Sequence, residues 1–430
     1  MSYFTITGGQ PLHGSLTLAG SKNLASKLMI ASLLTKETCT LYNVPDIGEN
    51  QLAAALLHLT GARVQRAGTT VTVDPTNVTS ADLRTGPKNR LPILLIPPLL
   101  FRTGKAVVPE PGGDQIGARP VNFHVKILEQ FGARVHYESG TYHARAKQLT
   151  GTNLTLPFPS VGATETALLA AVWAKGSSII AGAAIEPEVL ELVSFLTALG
   201  GSIVRHDRLF SVTGVADFHG ASQTVIPDRI EAASYAALAL ATRGSVLLHN
   251  ANPDHLSTYI TFVESIGGAV DIEGGGLRFS YRQPLQAAHI VTGVHPGFMT
   301  DWQQPTAVML LTAQGESSIH ETVHEQRFGY VDQLNSLGAS IRVERTSHSV
   351  GVPAFVLHPI TLIAHIPGST QLVGGRLTMP DLRAGMAYII AALVARGQST
   401  VYGVDQVDRG YERIDQKLLA LGAQITRHTE

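Results

Sequence analysis

The sequence contains little cysteine and little charge, and each shortage excludes a class of protein. Cys39 is the single cysteine among 430 residues, so neither a disulfide framework nor a multi-cysteine metal site can form within the chain. Charged residues make up 15% of the sequence and hydrophobic residues 44%, which excludes an intrinsically disordered protein. The formal net charge is −1, so no overall basic field attracts nucleic acid. Any anionic ligand must therefore be held by local clusters of Arg and Lys.

Long apolar runs are also lacking. The most apolar segment, residues 91–101, contains three prolines, whereas a membrane-spanning helix needs about 20 apolar residues. The N-terminus has no basic segment followed by an apolar run, so we expect no signal peptide. The sequence therefore predicts a cytoplasmic protein without membrane insertion, and no feature of it specifies an oligomeric state.

One pattern recurs six times: an apolar helical run ends in Gly-Ala or Gly-Gly, and a short β-type stretch follows. The first glycines of the six copies are Gly61, Gly132, Gly200, Gly267, Gly338 and Gly422. Consecutive copies are 71, 68, 67, 71 and 84 residues apart. Glycine after a helix supplies a left-handed C-cap without steric cost, and the β-branched run beyond it suits a strand. The sequence therefore predicts an α/β fold of six helix–strand repeats, which group because one repeat cannot form a core alone.

Two early loops carry residues suited to binding an anion. Lys22 and Asn23 follow Gly20 and open an apolar helical run, and a helix N-terminus with a flanking Lys is a ready phosphate site. The second loop, residues 111–120, contains three glycines, with Asp114 at its tip and Arg119 before the next helix. Ordinary surface turns with solvated charges explain both loops equally well at this stage.

Three later segments combine charges in a similar way. Asp301 precedes an apolar helix, where it is either a helix N-cap or a carboxylate that accepts a proton from a hydroxyl. The segments 381–385 and 408–413 each pair Asp with Arg, and the planar guanidinium suits a carboxylate or phosphate ligand. Surface ion pairing is the alternative interpretation of both.

No metal or cofactor motif is visible in the sequence. The 17 histidines are scattered, and the pair His320 and His324 falls in a segment that looks like a strand rather than a helix. No Gly-x-Gly-x-x-Gly follows a strand, and no Walker loop is present. We therefore predict neither a metal nor a cofactor.

The ordered set of these segments resembles the UDP-N-acetylglucosamine enolpyruvyl transferases, a branch of the enolpyruvyl transferase family. The matching segments span almost the whole chain; they are 20–23, 111–120, 160–165, 226–231, 300–301, 325–328, 381–385 and 408–414. The resemblance implies an inverse α/β prism of six repeats, three per domain, with a cleft between two domains. It implies one domain at 22–229, carrying the glycine-rich loop, and a second formed by 1–21 and 230–430.

The resemblance also implies roles for residues at matching positions. Those implied to be catalytic are Asp114, Asp301, Lys22 and Arg409. Those implied to bind phosphoenolpyruvate are Lys22, Asn23, Arg119 and Arg409. Those implied to bind the UDP-sugar are Asn23, Arg90, Arg119, Pro120, Val121, Asn122, Phe123, Ser160, Val161, Gly162, Asp301 and Val323.

The implied reaction joins two anionic substrates, phosphoenolpyruvate and UDP-N-acetylglucosamine, in the first committed step of peptidoglycan synthesis. Asp301 would take the proton of the 3′-hydroxyl as it attacks C2 of phosphoenolpyruvate, and Asp114 would protonate C3. Phosphate then leaves the tetrahedral adduct, and the enolpyruvyl ether remains. A dense positive clamp is needed to hold both anions together.

The chain departs from the family pattern at the loop tip. Most members carry Cys there, whereas this chain has Asp114, so we expect insensitivity to fosfomycin, which alkylates that thiol. Free Cys titrates near ~8.5 and Asp near ~3.9, so Asp114 needs a raised pKa to hold a proton, which loop closure that desolvates it would supply. We expect a rate profile shifted toward acid relative to Cys-type enzymes. Phe158 replaces a usual Lys, residues 47–49 lack a basic residue, and the segment 345–376 is longer than is typical.

Two other interpretations remain. A 3-phosphoshikimate enolpyruvyl transferase shares the fold and the donor, but its Ser-rich loops for the acceptor phosphate are not seen, and the segment 408–412 favours the nucleotide-sugar branch. A non-catalytic paralogue that only binds a sugar-nucleotide is the second alternative, and the presence of Lys22, Asp301 and Arg409 argues against it.

Overall fold

The computed structural model describes residues 2–113, 117, 121–347 and 360–429. The chain forms two compact units. The first unit comprises Met1–Ala19, Asp114–Ala118 and Pro227–Glu430, and the second comprises Gly20–Gly113 and Arg119–Ile226. The sequence predicts one domain at 22–229 and a second formed by 1–21 and 230–430. That these domains fold independently remains a prediction.

Helices and strands alternate along the described residues. The helices are α1 (Lys22–Ala31), α2 (Gly48–Thr60), α3 (Ile96–Thr103), α4 (Asn122–Gln130), α5 (Val161–Ala171), α6 (Pro187–Ala198), α7 (Arg229–Ala241), α8 (Pro253–Ser265), α9 (Gln303–Leu310), α10 (Val331–Ser336), α11 (Leu382–Val394), α12 (Asp405–Asp408) and α13 (Ile414–Ala420). Short 3₁₀ segments cover Ser32–Leu34, Pro92–Leu95 and Thr300–Trp302.

The strands are short, as expected for repeats of this size. They are β1 (Tyr3–Thr7), β2 (His13–Thr17), β3 (Cys39–Tyr42), β4 (Arg63–Ala67), β5 (Thr70–Asp74), β6 (Lys105–Pro109), β7 (Arg134–Glu138), β8 (Thr141–Arg145), β9 (Asn153–Thr155), β10 (Ser177–Ala181), β11 (Ser202–His206), β12 (Leu209–Thr213), β13 (Ser222–Thr224), β14 (Ser245–His249), β15 (Ala269–Glu273), β16 (Gly276–Ser280), β17 (His289–Val291), β18 (Glu316–Glu321), β19 (Arg342–Ser347), β20 (Ile360–Pro367), β21 (Arg376–Thr378), β22 (Gln398–Tyr402) and β23 (Gln424–His428).

Three sheets in each unit correspond to the repeats. The sheets of the first unit run β21-β22-β1-β23, β15-β16-β14-β2 and β17-β18-β20-β19. Those of the second unit run β13-β3-β5-β4, β6-β8-β7 and β11-β12-β10-β9. The four-stranded sheets are mixed: β14, for example, pairs antiparallel with β16 and parallel with β2.

The helices of each unit fill its core, and one face of each sheet remains exposed. In the first unit α7 and α9 are buried along their whole length, as is α11 from Leu382 to Leu393. A helix that is apolar on all sides is typical of such a position. The repeated alanines of α7 and α11 allow both of these helices to pack closely against α9. In the second unit α5 is buried from Ala163 to Ala171.

The six repeat glycines have the predicted backbone conformation. Their φ angles lie between +90° and +110°, and they are Gly61 (96°), Gly132 (93°), Gly200 (110°), Gly267 (92°), Gly338 (98°) and Gly422 (90°). A strand begins within four residues of each of them, at β4, β7, β11, β15, β19 and β23. The prediction of six α/β helix–strand repeats is therefore confirmed.

Two of the places where the chain passes from one unit to the other are residues 19–20 and 226–227. The Asp228 amide donates to the Ala19 carbonyl at 2.9 Å in the first unit, and the Ser21 amide donates to the Ile226 carbonyl at 2.7 Å in the second. A Cβ on Gly20 would lie 1.9 Å from the Asn43 carbonyl oxygen, so this position accepts only glycine.

Across the residues that the structure describes, no helix combines the length and the apolar character needed to cross a bilayer.

Candidate functional site

The structure places the predicted site residues in two groups, one in each unit. Lys22, Asn23, Arg90, the run 121–123 and the run 160–162 belong to the second unit. Asp301, Val323 and Arg409 belong to the first. Three further predicted residues, Asp114, Arg119 and Pro120, lie outside the described residues.

Lys22 is the first residue of α1, and a buried carboxylate faces it. Its Nζ lies 3.9 Å from Oε2 of Glu49 at the start of α2. The Asn89 amide donates to the other oxygen of Glu49 at 3.5 Å. The separation of Nζ and Oε2 exceeds that of a hydrogen bond, and Lys22 stands at the N-terminus of α1, where backbone amides also favour an anion. Asn23 follows it on the helix and is half-buried.

His124 joins the remaining predicted residues of the second unit. It lies on α4 just after Val121, Asn122 and Phe123, and its Nδ1 is 2.7 Å from the Thr166 hydroxyl on α5. A Cβ on Gly162 would lie 3.0 Å from the ring, so glycine allows α5 to approach α4. Burial, with a smaller contribution from Arg90, lowers the pKa of His124 to about 3. His124 is therefore a neutral hydrogen-bonding group.

Ser160 begins α5 as a helix N-cap, and its hydroxyl accepts from the Ala163 amide at 3.4 Å. The runs 121–123 and 160–162 thus meet where the N-termini of α4 and α5 pack together. Helix N-termini present amide groups and positive dipole ends. This arrangement is suited to an anionic or strongly polar ligand.

Asp301 is held by two buried arginines. It lies inside the 3₁₀ segment Thr300–Trp302, whose N-cap is Met299, and the N-cap of α9 is Trp302, so the interpretation as a helix N-cap is wrong. Arg327 donates to Oδ1 of Asp301, and Nε of Arg383 lies 3.6 Å from the same oxygen. The two guanidinium groups are 2% and 6% exposed, whereas the Asp301 side chain is 22% exposed. One carboxylate therefore reaches solvent while its cationic partners stay in the core.

Arg383 links Asp301 to the segment 408–413. Burial opposes its charge, but Asp301 and neighbouring hydroxyl and carboxyl groups raise the pKa of the guanidinium above its ordinary value. Nη1 of Arg383 donates a hydrogen bond to the Tyr411 hydroxyl at 3.4 Å. That hydroxyl lies 2.8 Å from the Ser234 hydroxyl. For Arg383, the alternative of a surface ion pair is therefore wrong.

Arg409 follows α12 and is half-buried, and its Nη1 donates to the Gln406 side chain at 3.2 Å. The neighbouring Asp408 pairs with Arg427 at 2.8 Å, with both side chains partly exposed. For Asp408 the interpretation as a surface ion pair is correct. Tyr411, two residues beyond Arg409, brings this segment to Arg383.

Glu321 connects the segment of Asp301 with that of Val323. It ends β18, is 1% exposed, and accepts four hydrogen bonds. One oxygen accepts from the Thr300 hydroxyl and the Gln303 amide, each at 2.9 Å. The other accepts from the backbone amides of residues 323 and 324 at 2.8 and 3.0 Å. A fully satisfied buried carboxylate of this kind fixes the two segments relative to each other.

Sequence reasoning missed Glu49, His124 and Glu321. Each contacts a residue far along the chain, namely Lys22, Thr166 and Thr300 respectively, so local spacing gives no sign of these contacts. The segment 325–328, which includes Arg327, matches the family pattern, but the resemblance implies no role for the arginine.

Known proteins are similar to this chain along almost its whole length. A family model described as EPSP synthase (3-phosphoshikimate 1-carboxyvinyltransferase) matches residues 6–418. A UDP-N-acetylglucosamine 1-carboxyvinyltransferase of Protochlamydia amoebophila is 43% identical, over 99% of this chain and 94% of the relative. The protein of the same name from Gloeobacter violaceus is 39% identical, over 99% and 90%.

Solved structures share the fold. The enolpyruvyl transferase NikO from Streptomyces tendae superposes with a TM-score of 0.85 at 21% identity, covering 100% of this chain and 99% of that one. EPSP synthase from Acinetobacter baumannii gives 0.72 at 17% identity, with full coverage of both chains. Given the family match over residues 6–418 and the close full-length relatives, the chain belongs to the enolpyruvyl transferase family, which includes EPSP synthase.

Proposed function

We propose that this transferase moves the enolpyruvyl group of phosphoenolpyruvate to the 3′-hydroxyl of UDP-N-acetylglucosamine and releases phosphate. This is the first committed step of peptidoglycan synthesis. The observation that carries the proposal is the 43% identity, over 99% of the chain, to a relative named for this activity. A cytoplasmic location is part of the same proposal, because both substrates are cytoplasmic metabolites.

Asp301 is the proposed general base for the sugar hydroxyl. General-base catalysis requires a carboxylate that reaches the substrate and keeps a fixed direction. The partial exposure of Asp301 and its contacts with Arg327 and Arg383 support that role. The buried guanidinium groups also stabilise the partial negative charge that develops on the sugar oxygen as its proton moves to Asp301.

Lys22 and Arg409, with Asn23 and Arg119, form the proposed phosphoenolpyruvate site. Lys22 supports it through its place at the start of α1. A compact ammonium on a flexible stem suits a phosphate that must be bound and then released. Arg409 is half-buried next to the segment that contacts Arg383.

The residues proposed to bind the UDP-sugar include those at the N-termini of α4 and α5. The full set is Asn23, Arg90, Arg119, Pro120, Val121, Asn122, Phe123, Ser160, Val161, Gly162, Asp301 and Val323. The contact between α4 and α5 through His124 supports the grouping of 121–123 with 160–162. The shared hydrogen bonds of Glu321 support the grouping of Asp301 with Val323.

Asp114 is the proposed acid that protonates C3 of phosphoenolpyruvate. Asp at this position needs a raised pKa to hold a proton at neutral pH, and desolvation beside the substrate's negative charge supplies such a shift. We expect a rate profile displaced toward acid. An Asp114→Cys variant with the same pH profile as the parent would count against this role.

One experiment tests the proposed function. Phosphate release from phosphoenolpyruvate is measured with UDP-N-acetylglucosamine or 3-phosphoshikimate as acceptor, for the parent, Lys22→Ala and Lys175→Ala. Lys175 is an exposed lysine of the same unit and serves as the matched control. We expect release only with the nucleotide-sugar, lost in Lys22→Ala and kept in Lys175→Ala.

Two outcomes would replace this proposal. Release with 3-phosphoshikimate alone would assign the activity named by the family model. Thermal stabilisation by UDP-N-acetylglucosamine without release of phosphate would instead assign a non-catalytic binding protein.

A further inference from the structure

We propose that His136, Glu138 and His143 form a binding site for a divalent transition-metal cation such as Zn²⁺. The three residues lie on the β7–β8 hairpin of the second unit, on the exposed face of the sheet β6-β8-β7. None of them belongs to the proposed substrate sites. One ligand atom from each side chain lies within 4.8 Å of the others.

The hairpin register brings the three side chains together. Ser139 and Gly140 connect β7 to β8 with φ angles of 50° and 77°, as in a two-residue turn that sets the pairing tightly. His136 is thereby paired directly with His143. Glu138 is two residues along β7 from His136, so alternation places it on the same face. The imidazole rings are stacked with centroids 4.8 Å apart and an angle of 9° between planes.

Small side-chain rotations close this arrangement around a metal. Zn–N distances of about 2.0–2.1 Å place neighbouring donors of a tetrahedral site about 3.3 Å apart. The present spread of up to 4.8 Å therefore needs to contract by about 1.5 Å. His136 and Glu138 are exposed and His143 is half-buried, so this contraction requires no change in the core.

Thr141 prepares His143 to act as a ligand. Its hydroxyl donates to the Glu138 carbonyl at 2.7 Å and lies 3.0 Å from Nε2 of His143. A hydroxyl has one hydrogen to donate, so it accepts from Nε2–H, and the lone pair remains on Nδ1. An imidazole that ligates a metal ordinarily donates its other N–H to a fixed acceptor in this way.

The surrounding charges limit the affinity and orient the site. Arg134 on β7 is paired with Arg145 on β8, two residues along each strand from the histidine pair and on the side away from Glu138. Lys105 on β6 is paired with Arg145 from the other side. Repulsion from these groups favours a cation near Glu138, at the turn end of the hairpin. Imidazole ligands prefer Zn²⁺, Cu²⁺ or Ni²⁺ to Mg²⁺, with Cu²⁺ bound most tightly.

Titration of the full chain with Zn²⁺ tests this proposal, with competition against a chromophoric chelator as the readout. The variants are His136→Ala, His143→Ala, Glu138→Gln and Thr141→Val. Each removal of a ligand is expected to weaken binding at least about tenfold, and loss of the Thr141 hydroxyl about 10–100-fold. Co²⁺ should give the absorption spectrum of a low-coordinate N/O site, and Mg²⁺ should not compete.

His206→Ala is the matched control. His206 is an exposed histidine at the end of β11, in another hairpin of the same unit, and its cross-strand partner is Leu209. This variant should bind Zn²⁺ as the parent does. A parent that binds no Zn²⁺, or His136→Ala and His143→Ala variants with the parent's affinity, would overturn the proposal.

Discussion

Replacement of Glu321 by Gln tests how the Asp301 segment is positioned. Glu321 is 1% exposed and accepts bonds from Thr300, Gln303 and two backbone amides. Gln keeps the size of the side chain but replaces one carboxylate oxygen by an NH₂ group. That NH₂ group then faces the two hydrogen-bond donors that the lost oxygen had accepted from. Two hydrogen bonds to a charged group, at about 1.5–3 kcal/mol each, are lost. We therefore expect a loss of about 3–6 kcal/mol in the free energy of unfolding of the first unit.

Thermal unfolding and phosphate release are the two assays for Glu321→Gln. The unfolding midpoint should fall by on the order of 10 °C, and kcat should fall because Asp301 loses its fixed place. Glu316→Gln is the matched control, since Glu316 begins the same strand, is exposed, and makes only surface ion pairs in the described structure. If Glu321→Gln and Glu316→Gln have equal midpoints and equal kcat, the reasoning about Glu321 is refuted.

Three further predictions follow from the site and the core. Asp301→Asn should lower kcat about 10²–10⁴-fold in the phosphate-release assay; an unchanged kcat would remove Asp301 from the mechanism. Fosfomycin should neither inactivate the enzyme nor add mass to it, because Asp114 replaces the usual thiol and Cys39 is buried, with its pKa raised by burial; time-dependent inactivation would contradict this. Burial raises the pKa of Glu165 to about 7. The free energy of unfolding is therefore highest at low pH, where Glu165 is protonated in both states, and it falls by about 3 kcal/mol as the pH rises from about 4.5 to about 7. Glu165→Gln should therefore gain stability relative to the parent across that range in urea unfolding, and an equal pH dependence in both proteins would refute it.

The repeat architecture could be predicted because its signal is local. Gly61 and Gly422 end helices in the left-handed conformation, and both are visible in the sequence as a glycine between an apolar helical run and a β-type stretch. The fold class therefore followed from six copies of one pattern. The grouping into two compact units required the resemblance, because nothing local in a repeat states which other repeats it packs against.

The candidate site was only partly accessible from the sequence. The sequence identifies Asp301 as a candidate but does not distinguish a helix cap from a functional carboxylate. The contacts of Asp301 with Arg327 and Arg383 are visible only in the structure. Nothing in the sequence distinguishes His124 from the other histidines. Its role in joining α4 to α5 depends on its hydrogen bond with Thr166 on the neighbouring helix. Long-range contacts of this kind depend on packing, which the local sequence does not specify.

The histidine pair of the β7–β8 hairpin was overlooked for the same reason. His136 and His143 are seven residues apart, a spacing that has no meaning for a metal site unless the turn at 139–140 pairs the two strands. Helical spacing points instead to His320 and His324, which fall in a segment that looks like a strand. His320 indeed lies at the end of a strand, β18.

The central claim is that this chain joins phosphoenolpyruvate to a nucleotide-sugar. Mass spectrometry of the products formed by the parent enzyme from phosphoenolpyruvate and UDP-N-acetylglucosamine tests it most directly. We predict an enolpyruvyl ether of the nucleotide-sugar and an equal amount of phosphate. Recovery of both substrates unchanged, from a preparation that binds UDP-N-acetylglucosamine, would contradict the claim.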